Sequence, residues 1–89
     1  MIKPIMPGVV AYAGWDNSGY GNLVILEHQN NIQSYYAHLS NVEVKTGETV
    51  TMDTEVGKMG ETGHATGPHL HLEIHQNGVP LNPLTVLAR

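Results

Sequence analysis

Turn-forming residues recur so often along this chain that no long helix fits between them. Ten glycines and five prolines are spread over 89 residues, with clusters such as Asp16-Asn17 and Asn77-Gly78 among them. Such residues favour tight turns and interrupt regular structure. The intervening runs are short and rich in β-branched and aromatic side chains. "GVVAYAGW" (8–15) reads as a first strand, closed by the loop "DNSGYG" (16–21). "NLVILEH" (22–28) and "IQSYYAHL" (32–39) flank the polar Gln29-Asn30-Asn31 and are predicted to form a hairpin. The stretch "VEVKTGETVTMDTEVGKMG" (42–60) divides into briefer β pieces, and "HLHLEIHQ" (69–76) is the last clear strand. The tail "NPLTVLAR" is expected to make one helical turn, with Asn82 as N-cap and Pro83 at the first helical position. The prediction is therefore all-β: an antiparallel β-sandwich or partly open barrel, in one domain spanning 1–89.

Composition narrows the function. The formal charge is −4, and the four bases, Lys3, Lys45, Lys58 and Arg89, are scattered. No basic stripe exists to follow a phosphate backbone, so nucleic acid is excluded as a partner. No apolar run approaches the roughly 18 residues that a membrane-spanning helix needs. The start, "MIKPIMPGVV", lacks the charged and apolar regions of a secretory signal, so no export address is expected within the chain. There is no cysteine, which rules out a disulfide scaffold and thiolate metal sites.

The six histidines are the chemically informative residues. Strand side chains alternate, so in "HLHLEIH" His69, His71, Glu73 and His75 are predicted on one face, with Leu70, Leu72 and Ile74 on the core side. Neighbouring imidazoles on one face can share a metal, or divide metal binding and proton transfer between them. His38, in "YYAHLS", is expected to share a face with Ile32, Ser34 and Tyr36 and to close its strand. Strand ends and adjoining loops often carry functional groups. His75 is expected to be an ordinary exposed residue, and His28 and His64, each beside a turn, are expected to be structural.

Together, "YYAHLS", "TGHATGPHLHLEI" and "VPLNPL" resemble the lysostaphin-type, or LytM-type, zinc endopeptidases that cut peptidoglycan. "PIMPGVVAYAGWDNSGYGNLVILEH" resembles the first strands of that family, so the resemblance covers nearly the whole chain. It implies the LytM-like (duplicated hybrid motif) fold, Zn2+ as cofactor, and action in the cell envelope or outside the cell. By position, it implies that His71 is a zinc ligand and that His38 and His69 flank the catalytic water and the developing oxyanion. Tyr20 and Trp15 are candidates to line the substrate cleft, with core or loop packing as the alternative. The family takes two further ligands from an H-x-x-x-D segment before the first strand. That pattern occurs nowhere in these 89 residues, so the expected domain is N-terminally short and its metal site incomplete.

Three functions follow from these residues. The first is a zinc endopeptidase domain whose missing ligands come from elsewhere. The second is a non-catalytic module of the same fold that binds peptidoglycan or a cell-wall hydrolase, with self-association through the uncovered edge of the first strand. The third is a carrier or phosphotransfer domain, suggested by "VKTGETVTMDTEVGKM". It lacks a Met-Lys-Met-like hairpin tip and has no need of H-x-H.

Overall fold

The computed structural model describes residues 2–60 and 71–81. His64, His69, Leu70 and the tail from Asn82 lie outside the described residues. Among the described residues seven strands follow in order: β1 (Gly8–Asp16), β2 (Gly21–Glu27), β3 (Ile32–Val42), β4 (Thr49–Val50), β5 (Gly57–Met59), β6 (His71–Gln76) and β7 (Val79–Leu81). The sheet order is β4-β1-β2-β3-β6-β7, with β5 pairing β3 off this path, and each of these pairings is antiparallel. The all-β antiparallel prediction holds. A short 3-10 turn, Gln29–Asn31, joins β2 to β3, and Asn30 and Asn31 both take positive φ there (63° and 58°). Asparagine tolerates that region better than most side chains, which explains the polar turn between two apolar runs.

Alternation within the strands builds the core. Val24 and Leu26 of β2, Tyr36 of β3 and Val10 of β1 bury together with Ile2, Leu39, Val44, Val50 and Val56. Ile74 of β6 is also fully buried, and Leu72 packs against this cluster, as the alternation in "HLHLEIH" predicts. Each such side chain contributes about 1.5–3 kcal/mol by leaving water. The opposite strand positions, among them Ile25, Tyr35, Glu73 and His75, are left to form the second face. On the β1 side, β4 pairs only with Gly8 and Val9.

β3 differs from the prediction, and the difference matters. It does not close at Leu39 but runs on to Val42, changing neighbour on the way. Ile32–Ala37 pair with β6, whereas Leu39–Val42 pair with β5. At the hand-over, β2 aligns Val24 with Tyr36 but Asn22 with Leu39, so Ala37 and His38 stand where β2 has Leu23 alone. This is a β-bulge, and His38 within it has φ 59°. The extra residue breaks the expected face of Ile32, Ser34, Tyr36 and His38. Tyr36 and Leu39, three apart, both enter the core, and His38 does not belong to that cluster. A left-handed non-glycine residue costs about 1–3 kcal/mol, which the surrounding pairing must offset.

The N-terminal segment is held to this sheet through His28. Its Nδ1 lies 2.7 Å from the Pro7 carbonyl and its Nε2 2.7 Å from the buried Ser34 hydroxyl. A carbonyl only accepts, so Nδ1 carries the proton and Nε2 receives the Ser34 hydroxyl. The Tyr36 hydroxyl contacts Ser34 and accepts the Ile5 N–H at 3.0 Å. His28 is therefore a structural bridge, in line with its expected role. Tyr36→Phe removes the hydroxyl at the middle of this chain, and the expected loss is about 1–3 kcal/mol in urea unfolding.

Candidate functional site

The turn between β1 and β2 is shaped by its own side chains. Asp16 accepts the Ser18 hydroxyl and, at 3.0 Å, the Ser18 N–H. The Ser18 hydroxyl, with the Ser18 and Tyr20 N–H groups, favours the carboxylate over burial and holds Asp16 below the ordinary carboxyl range. An aspartate closing on a backbone N–H two residues ahead is a common turn device. It delivers Tyr20 just before β2, where its carbonyl accepts the His38 N–H at 2.8 Å. The bulge that displaces His38 is thus capped from the neighbouring hairpin. His38 itself is buried, with 8 % of its surface exposed.

From the same residue the phenol reaches across to β6. Tyr20 Oη lies 2.9 Å from Glu73 Oε1 and 3.0 Å from Oε2, and donates its proton to the carboxylate. His75 Nε2 lies 2.9 Å from Glu73 Oε1. The His75 ring stacks on Tyr35 with centroids 4.1 Å apart and planes 14° from parallel. Tyr35 in turn meets Tyr20 in a tilted contact, 5.9 Å between centroids and 51° between planes. Tyr35 and Glu73 are direct cross-strand partners, which brings the four side chains together. Burial first, then the hydrogen bond and charge of Glu73, push the Tyr20 phenol up to about 12, with smaller contributions from Tyr35 and Asp16.

The predicted site residues fare differently. Tyr20 and His38 meet through the main chain, as just described. The backbone of His71 opens β6 and pairs with Ala37, next to His38 in the bulge. His69 lies outside the described residues. Trp15 does not join this group. It follows Ala13, a core-facing residue, by two positions without a register shift, and so points to the other side of the sheet. There it is 54 % exposed, with its indole N–H donated to Asn17 Oδ1 at 2.7 Å. His75 is not an ordinary exposed residue, because its ring is stacked and its side chain is only 13 % exposed. Glu73 and His75 were legible as a same-face pair two residues apart, but their aromatic cross-strand partner was not.

Imidazole donors suit zinc. Among the described residues, however, no three histidine, aspartate or glutamate side chains converge to hold a metal ion. A cavity of about 680 Å³ lies elsewhere, bordered by Pro7, Val9, Ala11, Glu27, His28 and Thr49. Neither Tyr20, His38 nor Glu73 lines it. No helix among the described residues is long and apolar enough to cross a membrane.

Residues 1–83 match Peptidase family M23. An uncharacterized metalloprotease of Haemophilus influenzae is 44% identical over 79 residues, covering 89% of this chain and 17% of that protein. The peptidoglycan DD-endopeptidase ShyC of Vibrio cholerae is also 44% identical over 79 residues, 89% of this chain and 18% of its own length. The chain thus spans less than a fifth of these curated relatives. In structure it superposes on the catalytic domain of lysostaphin from Staphylococcus simulans with a TM-score of 0.89 and 33% identity, covering 99% of this chain and 70% of that one. A chain of the SpoIIIAH–SpoIIQ complex gives a TM-score of 0.85 and 32% identity, covering 94% of this chain and 59% of the other.

A raised phenol pKa has a consequence at alkaline pH. Folded Tyr20 holds its proton more tightly than the unfolded chain does. Its contribution to stability is complete below pH 10.0 and is lost as pH climbs toward about 12. Glu73→Gln removes the charge of Glu73 and leaves burial and a hydrogen-bond acceptor. Tyr20 should then ionise at lower pH than in the wild type but still above 10.0, read by phenolate absorbance against a Tyr20→Phe reference.

Proposed function

The chain belongs to Peptidase family M23, and from that premise we propose that it forms part of a zinc endopeptidase domain acting on the peptides of peptidoglycan. Support comes from the match over residues 1–83 and from the pairing of the His71 backbone with Ala37, beside the His38 bulge. In this reading the 89 residues are a single LytM-like unit in the cell envelope or outside the cell.

His71 supplies one metal ligand, and the others come from outside these 89 residues, since H-x-x-x-D is not among them. When bound, zinc supplies Lewis acidity toward a scissile carbonyl. His38 and His69 divide the proton work: a neutral imidazole takes a proton from the attacking water, and an imidazolium stabilises the oxyanion. The Tyr20 ring forms one wall of the substrate cleft.

The likeness to a chain of the SpoIIIAH–SpoIIQ complex favours a second reading. In it the same fold binds peptidoglycan or a protein partner without cutting.

Zinc content and peptidoglycan cleavage separate the two. The chain is assayed alone and behind a segment carrying H-x-x-x-D. Endopeptidase function predicts zinc uptake and release of cross-linked fragments by the extended form. His71→Ala should abolish zinc uptake, whereas His38→Ala and His69→Ala should retain zinc and lose about 10²- to 10⁴-fold in turnover. Peptidoglycan binding that survives chelation, with no cleavage by the extended form, would establish the binding module instead.

A further inference from the structure

Tyr20 touches the site with both of its ends. Its carbonyl holds the His38 N–H at 2.8 Å, and its hydroxyl holds Glu73 at 2.9 and 3.0 Å, two residues beyond His71 on β6. A single residue of the β1–β2 hairpin therefore ties the bulge of β3 to the strand that carries His71. The quality of that tie depends on how well Glu73 is held, because a lone carboxylate on a strand surface samples several rotamers.

Glu73 is not alone. The His75 ring, braced on Tyr35 at 4.1 Å, directs Nε2 to Glu73 Oε1 at 2.9 Å. A carboxylate only accepts, so Nε2 carries a proton and donates it. Tyr35 also meets the Tyr20 ring at 5.9 Å, which closes a circuit of four side chains from the hairpin, β3 and β6. Glu73 receives both Tyr20 and His75, which suits it to orient its neighbours. Its side chain is 25 % exposed and that of His75 13 %, so the circuit lies at the rim of the second face rather than deep in the core.

We propose that Glu73 and His75 are positioning residues. Acting through Tyr20, they fix the His38 bulge and the phenol wall relative to the strand that bears His71. This rests on the reading of the chain as a peptidoglycan endopeptidase, and neither residue touches substrate in it. The assignment adds two residues outside H-x-H to the machinery, one of which the sequence alone marked as ordinary.

The test combines two readouts. In the 89-residue chain, hydrogen exchange of the His38 amide is followed by NMR for the wild type, Glu73→Ala, Glu73→Gln, His75→Gln and the exposed control Val79→Ala. Glu73→Ala should speed that exchange at least tenfold. Glu73→Gln, which keeps an acceptor for Tyr20, should restore most of the protection, and Val79→Ala should change nothing. In the extended, zinc-loaded form, Glu73→Ala and His75→Gln should lower kcat about tenfold or more with little change in KM. Tyr20→Phe combined with Glu73→Ala should cost no more than either alone. Unchanged His38 exchange in both Glu73→Ala and His75→Gln would overturn the proposal. So would equal effects of Glu73→Ala and Val79→Ala. Should Glu73→Ala fail to fold, His75→Gln decides by the same readouts. A wild type that cuts nothing refutes the endopeptidase reading, whereas the exchange result judges the circuit independently.

Discussion

The bulge at Ala37–His38 is the constraint on which the rest of this sheet depends. Among the described strands, β3 alone serves three neighbours: β2 along one side, then β6 and β5 in succession along the other. A straight, evenly pleated strand would keep the same side chains inward from end to end. The extra residue lets Tyr36 and Leu39 both reach the core while β3 passes from β6 to β5. Bulges bend and twist a sheet locally and re-aim side chains, and they are common beside active sites. Here the residue held in the left-handed region is a histidine that the M23 resemblance marks as functional.

The strain of that conformation is met by contacts from several directions. The Tyr20 carbonyl takes the His38 N–H, and the Asp16 side chain shapes the turn that brings Tyr20 there. On the far side of the sheet, His28, Ser34 and Tyr36 form a polar chain that fastens Ile5 and Pro7 beneath the first half of β3. Polar groups buried in this manner gain little in net free energy but are costly to leave unpaired. They consequently favour one arrangement of the strand over its near alternatives. The two networks grip β3 from opposite faces, one ahead of the bulge and the other at it.

Much of the fold was legible in the residues. The alternation in "HLHLEIH" correctly assigned Leu72 and Ile74 to the core side, and the Gln-Asn-Asn turn fell where two left-handed asparagines sit. The bulge was not legible, because a strict period of two assumes one residue opposite one, and Ala37-His38 has no glycine to announce an exception. That single break is why His38 does not share the face of Ser34 and Tyr36 that the alternation predicted for it. Trp15 takes the alternative of loop packing, because its strand position turns it to the opposite face from Tyr20 and its indole binds Asn17 in the turn. His75 was underrated because its environment comes from Tyr35, a residue brought alongside only by the β3–β6 register. Alternation and strand-end position singled out His38, His69 and His71 among the six histidines, and only the family resemblance assigned them separate expected roles.

The position of Trp15 has an optical consequence. It is the chain's sole tryptophan, half in water at the tip of a hairpin and away from the apolar cluster. Its emission already reports a wet, polar setting in the native fold, so melting the core alters that signal little. A denaturation curve followed by indole fluorescence would trace the loosening of one hairpin end, whereas circular dichroism would trace the sheet. Agreement between the two would mean that the tip and the core come apart as a single unit.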